Sequence, residues 1–509
     1  MNMSCKGIIR VCRVCGEYTS SLVKCAVFAA AVLGLIAGQG FAATPANKVP
    51  PAVSGTFQVG SWITVDPGQW TGDHPITFAY KYQTCSAAGG TCQLAPGLFA
   101  NGSRAGLLLL AATAGKRIKV TVTATNPAGK KAVTTQLTPA ITAYPNTAPP
   151  LIEFINGVPD PTEPSHSSKT TFQFQATGAG VSLRCQIDSK AATACPANNK
   201  ITYSNLTPGS HTAKVTATNT FGTAVASYTW TVEPLPRPLA CLRDDGSSCY
   251  QPPVGTTWQW QLNPDAKQTT INTAVVADMF DIDGYDNDAN VIAILRALPG
   301  DHVSSRSVTC YVTAGTLENW RPDTEALNPD VLGNPYSGFT DERWIDVRQI
   351  SQIRPWLEGK MDMCKAKGFD AIEFDNVDGW QPDNNTGLNI TAEDEIAFIV
   401  YLANAAHARG MTMAHKSNVE QVPAVLPYVD FAVVEECFAY KECTRADPNT
   451  DGQYGYDDFI HAGKPVFEVE YKKYNPSNNV CARANALGFS SMYKRVALDS
   501  YRVPCWRTN

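Results

Sequence analysis

Asp370-Ala-Ile-Glu-Phe-Asp375 is a short β-prone run in which apolar and acidic side chains alternate. Residues two apart share a face of a strand, so Glu373 and Asp375 fall on the same side. Amphipathic segments flank the run, Gln349–Lys367 before it and Ala392–Arg409 after it. The same alternation of element types continues outward. Seven more β-prone runs are Thr257–Leu262, Val276–Asp283, Ser307–Thr313, Met411–His415, Asp430–Glu435, Pro465–Tyr471 and Phe489–Tyr493, with a further amphipathic segment at Asn290–Leu298. Eight strands with intervening helices in about 250 residues predict a (β/α)8 TIM barrel. An open doubly wound sheet is the rival, but no GxGxxG or phosphate-binding loop follows any of these runs.

The barrel is expected over residues 238–509. Before it, residues 44–145 and 147–235 read differently: short strands with period-two alternation, such as Ile118-Lys-Val-Thr-Val-Thr-Ala-Thr125, are separated by Pro, Gly and Asn. That pattern predicts two all-β sandwiches. The string Val-Thr-Ala-Thr-Asn occurs in both, at Val122–Asn126 and Val215–Asn219. Both stretches resemble bacterial Ig-like modules, and neither gathers acids, histidines or nucleophiles. Their expected role is that of spacers, with glycan binding through Trp62, Trp70 and Tyr82 as the alternative. Pro234-Leu-Pro-Arg-Pro238 is a stiff linker into the barrel.

Residues 1–42 read as an export signal: basic Lys6, Arg10, Arg13 and Lys24, then the apolar run Cys25–Gly38, then small residues near Ala42. The run is short for a membrane span, so no membrane attachment is expected after cleavage. Twelve cysteines follow residue 42, eight of them as near neighbours: Cys85/Cys92, Cys185/Cys195, Cys241/Cys249 and Cys437/Cys443. Such pairs predict disulfides and a secreted, periplasmic or cell-surface protein. Charge divides along the chain. Residues 1–236 carry 17 Lys and Arg against 8 Asp and Glu, whereas residues 237–509 carry 24 against 38. The acidic half disfavours nucleic acid and suits a cationic partner.

Reacting groups of a barrel project from the C-terminal ends of its strands. Four of the predicted strands end in acids: Asp281 and Asp283, Glu373 and Asp375, Glu435, and Glu468 and Glu470. Carboxylates inside such apolar runs are costly unless paired or functional. Two of them facing across a barrel mouth suit glycosidic cleavage, one donating a proton and the other attacking or activating water. Aromatic residues such as Trp260, Tyr311, Trp320, Trp380 and Tyr471 are available for stacking on sugars. The structural alternative is a set of internal salt bridges, Asp281 with Lys416 for example. No cofactor is expected, and no metal site: the seven histidines show neither HxH nor HxxxH spacing.

Several strings together carry a family resemblance. Trp258-Gln-Trp-Gln-Leu262, Phe280-Asp-Ile-Asp-Gly-Tyr-Asp286, Cys310-Tyr-Val-Thr-Ala-Gly315, Glu373-Phe-Asp-Asn-Val-Asp-Gly379, Val434-Glu-Glu-Cys-Phe438 and Ala462-Gly-Lys-Pro-Val-Phe-Glu-Val-Glu-Tyr471 occur in order. The region resembles glycoside hydrolase family 114, the endo-α-1,4-polygalactosaminidases. The resemblance implies a TIM-like barrel, endo-hydrolysis of α-1,4-linked galactosamine polymers, and Asp375 and Glu435 as the catalytic acids. It makes Asp281, Asp283, Tyr311, Lys416, Asn418, Glu470 and Tyr471 candidates for substrate contacts. The family commonly has Asn-Glu-Gln-Cys-Phe where this chain has Val434-Glu-Glu-Cys-Phe438, which puts a second acid, Glu436, beside the first; alternation from Val433 favours Glu435 as the inward one.

De-N-acetylated galactosamine is an ammonium at neutral pH, so an acidic mouth would attract a cationic galactosaminan. The protein is expected to act as a monomer. Two other readings remain at this point: a catalytically silent carbohydrate-binding or adhesin protein, and a hydrolase of a different amino-sugar polymer. Neither the carboxylate spacing nor the retaining or inverting course follows from sequence.

Overall fold

The computed structural model describes residues 43–95, 101–102, 105–126, 128–160, 162–324, 327, 331–471 and 479–507. The expected export signal lies outside the described residues.

Two all-β regions come first. In one, a sheet built from Ala52–Gly55, Trp62–Asp66 and Gly106–Leu108 shares a core with a larger sheet that includes Thr77–Cys85 and Arg117–Asn126; Ile63, Leu107, Tyr82 and Val120 are buried where they meet. In the next, Leu151–Asn156, Thr170–Thr177 and Lys200–Tyr203 face a sheet containing Ser182–Ile187, Gly209–Asn219 and Gly222–Val232, around Phe172, Phe174, Val215 and Trp230. The repeated Val-Thr-Ala-Thr-Asn string ends an equivalent strand in each. Both times the closing Asn side chain accepts a hydrogen bond from the backbone N–H two residues on, at Ala128 and at Phe221. That is an Asx turn leading into a hairpin.

The third region is a nine-stranded sheet. Its strands are β1 (Trp258–Gln261), β2 (Met279–Asp283), β3 (Ser307–Thr313), β4 (Ala371–Asp375), β5 (Thr412–Lys416), β6 (Phe431–Glu435), β7 (Val466–Glu470), β8 (Ser490–Tyr493) and β9 (Val503–Pro504). Neighbours from β1 to β8 pair parallel in chain order, and β9 adds antiparallel to β8. Each of the eight predicted runs thus forms a strand, in a TIM-barrel-like arrangement. Side-chain bonds link the ends of the sheet: the Trp258 indole N–H donates to Ser490 O at 2.7 Å and Gln259 Nε2 to Ser500 O at 3.0 Å.

Helices are α1 (Ala289–Arg296), α2 (Ile350–Lys367), α3 (Ala392–His407), α4 (Val422–Val425), α5 (Cys437–Tyr440), α6 (Asp457–His461) and α7 (Val480–Leu487). Two of them begin at side-chain caps. Asp288 accepts from the Asn290 and Val291 amides at α1, and Thr391 and Asp394 form a reciprocal capping box at α3. The helical partner expected after every strand is absent from the β1–β2 connection, among the described residues. The β3–α2 connection instead carries a three-stranded antiparallel sheet of Thr316–Glu318, Leu332–Tyr336 and Phe339–Ile345.

Strand register sorts side chains into two layers. Phe280, Ile372, Val434 and Val466 face the helices, together with Leu295, Leu357 and Phe398. Trp258, Trp260, Ala371, Ala414, Phe431 and Phe467 fill the inside of the sheet, with Phe467 ring centroids 5.2 Å from Trp258 and 5.5 Å from Phe431. This apolar plug closes the barrel below the strand ends. Between the second sandwich and helices α2 and α3 is a cavity of about 480 Å³, but none of its lining residues is one of the acids at the strand ends.

The four neighbour cysteine pairs are bonded, and the remaining four join as Cys310–Cys364 and Cys481–Cys505. Cys310–Cys364 ties β3 to α2 across 54 residues, both ends fully buried. Replacing both by Ala should lower the unfolding free energy of this region by roughly 3 kcal/mol, as a drop in the urea midpoint under oxidising conditions.

Candidate active site

The inward positions rise in steps from the plug to the C-terminal strand ends. On β4 they run Ala371, Glu373, Asp375; on β5, Ala414 and Lys416; on β6, Phe431, Val433, Glu435. Register places Glu373 beside Ala414 and Lys416 beside Val433. Just above the apolar layer, therefore, one lysine is surrounded by acids.

Lys416 Nζ lies 2.7 Å from Asp375 Oδ1, 3.2 Å from Glu373 Oε1 and 3.2 Å from Glu435 Oε1. Its ammonium also stands 5.1 Å from the centre of the Trp260 ring. Burial alone would make Lys416 easier to deprotonate, but Asp375, Glu435 and Glu373 outweigh it and hold the ammonium well above the usual lysine range. Burial likewise works to raise Asp375, and is overcome by Lys416 and by hydrogen bonds from Lys416, Tyr311 and the Asn376 amide; its carboxyl is held below the ordinary range. The Tyr311 hydroxyl donates to Asp375 Oδ2 at 2.5 Å and the Asn376 N–H to Oδ1 at 2.9 Å. Across the mouth, the Tyr471 hydroxyl donates to Glu435 Oε2. Burial, then the facing carboxylate, pushes both phenols upward, so both remain donors.

Asp281 sits one step deeper against Glu373. Burial and then the Glu373 charge push it well above the usual carboxylate range. Among the described residues no donor reaches either Asp281 oxygen, so the two acids bond only by sharing a proton. The Asp281–Lys416 ion pair considered from sequence is not formed; Glu373 stands between them in the charge chain.

Other candidates have different partners. Asp283 accepts from Arg321 Nη2 at 2.6 Å and from the Tyr285 and Asp286 amides, both at 2.8 Å. It fixes the turn after β2. Asn418 accepts from the Trp380 indole at 3.1 Å and donates to Val377 O at 3.0 Å, holding that rim tryptophan. Glu468 and Glu470, read from sequence as inward-compatible, take the helix-facing register of β7, because Phe467, Val469 and Tyr471 occupy the inner one. Glu470 accepts from the Phe438 and Ala439 amides at 3.1 and 3.0 Å, at the start of α5. Glu436, with φ 54°, leaves the strand before that helix, whereas Glu435 stays in the inner layer.

Sequence reasoning did not single out Glu342 or Asn376. Asn376 has φ 61°, and its side-chain amide donates to Glu342 Oε1 at 2.9 Å and to Thr316 Oγ1 at 2.8 Å. Ala314 and Gly315 amides meet Asp375 O at 3.0 and 3.2 Å. A Cβ on Gly315 would come within 1.6 Å of Asn376 O, so only glycine allows this approach. The backbone under Asp375 is therefore clamped by the sheet inserted after β3. Burial raises Glu342 to about 7. No alternation of apolar and polar residues in Phe339–Ile345 marked it in the sequence. Among the described residues, no group of three His, Cys, Asp or Glu is arranged to hold a metal.

Acids gathered at the carboxyl ends of a TIM-barrel-like sheet are the equipment of a glycoside hydrolase. Residues 242–508 match glycoside-hydrolase family GH114, and the chain belongs to that family. It is similar to Aspergillus fumigatus Ega3, solved in complex with galactosamine: 34% identity over 50% of this chain and 97% of that one, TM-score 0.44. It is also similar to the glycoside hydrolase domain of PelA from Pseudomonas aeruginosa, with 12% identity over 49% of this chain and 98% of that one, TM-score 0.34. No curated protein matches the chain.

Lys416→Met would leave buried Glu373 and half-buried Asp375 and Glu435 without their counter-charge and should cost roughly 3 kcal/mol of stability. The sign with pH follows from Asp375. Its folded-state pKa is depressed, so its stabilising contribution is present above the usual carboxylate range and fades as pH falls through the folded value. In Lys416→Met this contribution shrinks to what Tyr311 and the Asn376 amide supply, and urea unfolding at pH 5–8 should show the loss.

Proposed function

We propose that this GH114 hydrolase is an exported, endo-acting enzyme that cleaves α-1,4-linked galactosamine-containing polysaccharide, with Asp375 and Glu435 as the catalytic pair. The observation that carries the reading is that one ammonium touches both carboxylates. Their bound oxygens, at 2.7 and 3.2 Å from Lys416 Nζ, are then about 6 Å apart at most, which favours the closer spacing of retaining over inverting enzymes.

Asp375, kept ionised by Lys416, attacks the anomeric carbon while Glu435 gives its proton to the departing glycosidic oxygen. The C–O bond to the leaving sugar breaks as an Asp375–glycosyl ester forms. Glu435, now a carboxylate beside Lys416 and Tyr471, takes a proton from water. That water attacks the same carbon, the ester breaks, and the product leaves with its original anomeric configuration. Glu435 is assigned the donor role because its side chain is more exposed than that of Asp375, 32% against 20%, as fits the partner that meets the leaving sugar and water.

The preference for a cationic polymer rests on charge. With Glu435 protonated as the donor, Glu373 and Asp375 still outnumber the single Lys416 ammonium, so the layer keeps a surplus of negative charge for a sugar ammonium to meet. Export is supported by six disulfides; among the described residues no helix is long and apolar enough to cross a membrane. We read the two sandwiches as Ig-like spacers for the hydrolase.

The test is incubation with de-N-acetylated galactosaminan and with acetylated controls. Wild type should release oligosaccharides from the former, and NMR of early products should show the α anomer. Asp375→Asn and Glu435→Gln should each reduce release by at least about a thousandfold. Activity in both variants would overturn the site assignment, β-anomeric product would overturn the retaining course, and binding without release would favour the adhesin reading. In Lys416→Met, any residual activity should have its acid limb moved to higher pH, because Asp375 loses the charge that lowers it.

A further inference from the structure

The antiparallel sheet inserted after β3 carries a row of three rings. Trp344 is buried at its base, and a Cβ on Gly379 would lie 3.4 Å from the indole, so the ring rests against the loop that follows Asp375. Trp344 and Tyr336 have centroids 5.1 Å apart at 49°, and Tyr336 and Phe339 5.8 Å apart at 45°. Exposure rises along the row, from buried Trp344 through half-buried Tyr336 to Phe339, which is 58% exposed. Tyr336 lies in the field of the active-site acids: burial, then Asp375 and Asp378, raises its phenol.

The row is held firmly in place. Glu342, in the same strand as Trp344, accepts from the Asn376 side chain at 2.9 Å. Asn334 donates from its backbone to Thr386 O at 2.7 Å and from its side chain to Asn385 O at 2.8 Å. The Ile345 N–H meets Gly315 O at 3.0 Å. A surface fixed in advance loses little entropy on binding. Single exposed apolar side chains are ordinary; what distinguishes Phe339 is that it ends a row of rings running out from the loop after Asp375, along which a ligand leaving the catalytic centre would lie.

We propose that Tyr336 and Phe339 form an outer subsite that holds an amino-sugar residue of the polymer at a distance from the bond being cleaved. The inference rests on the galactosaminan reading above and extends it along the chain of the substrate. Sugar rings present C–H faces that pack on aromatic rings, and a sugar ammonium adds attraction to the negative face of the ring. An endo-acting enzyme needs such distant grip, because binding energy from remote residues positions the reacting one.

The test compares wild type, Phe339→Ala and Phe339→Trp on de-N-acetylated galactosamine oligomers of increasing length, with thermal unfolding recorded for each variant. Phe339→Ala should raise KM for long oligomers and polymer by roughly three- to tenfold. It should leave kcat/KM on the shortest cleaved oligomer unchanged, with Phe339→Trp restoring the long-chain KM. Equal kinetics at every length, or an equal loss on the shortest oligomer, would overturn the subsite while leaving the parent reading intact. A wild type that cleaves none of these oligomers overturns the parent reading, and with it the ligand assigned to the subsite.

Discussion

Everything at the strand ends is organised around the Lys416 ammonium. Three carboxylates share it at 2.7 to 3.2 Å, in a layer lying directly above an apolar plug. Carboxylates crowded in low dielectric repel each other and take up protons. The lysine prevents this at Asp375, where two further donors support the ionised form. It makes no ion pair with Asp281, whose carboxyl burial and the Glu373 charge push well above the usual range. Burial and crowding are common to all these acids, yet their states diverge because the positive charge is placed off-centre. An active site gains distinct acid and base roles in this way from chemically similar residues.

The same layer explains which parts of the site were legible in sequence. The run around Asp375 could be read because its alternation is strict: Ala371, Glu373 and Asp375 on one face, Ile372 and Phe374 on the other. On β7 that signal is lost. Parallel strands in such a barrel are buried on both sides, and Val466-Phe-Glu-Val-Glu470 has apolar residues on each face, so periodicity does not say which acids turn inward. Only the register, with Phe467 in the plug, assigns the interior to Tyr471 and the helix side to Glu470. Asp283 illustrates a different limit. It has the inner parity, but Arg321, 38 residues further on, neutralises it, and no local pattern reveals so distant a partner. The sheet inserted after β3 escaped notice for a related reason: its strands pair with each other and lie outside the strand–helix alternation that exposed the barrel.

That insertion also shows how support and recognition are joined. Glu342 and Thr316 hold Asn376, Asn376 holds the Asp375 carboxylate through its own amide, and the strand bearing Glu342 also carries Trp344 and Phe339. One small sheet thus fixes a reactive group and supplies an aromatic rim. A shift of the strand would move both at once, so the distance between rim and carboxylate is set by covalent and hydrogen-bonded geometry. Preorganisation of this kind matters most for a flexible polymer, which must surrender its own conformational freedom on binding.

A lysine at the centre of a site proposed to bind a cationic sugar looks contradictory until the charges are placed by depth. Lys416 is 5% exposed and lies over Trp260, beneath the more open Glu435. Its charge is directed at the carboxylates around it, while the second oxygens of Asp375 and Glu435 accept from Tyr311 and Tyr471. Glu373 and Asp375 together exceed one ammonium, so the layer remains net negative even with Glu435 protonated as the donor. An arriving sugar ammonium would meet that surplus before it met the lysine. Attraction falls off steeply with distance and with intervening dielectric, so a buried positive charge under an acidic layer repels the substrate far less than an exposed one would. The lysine can then stabilise the nucleophile without turning away the polymer.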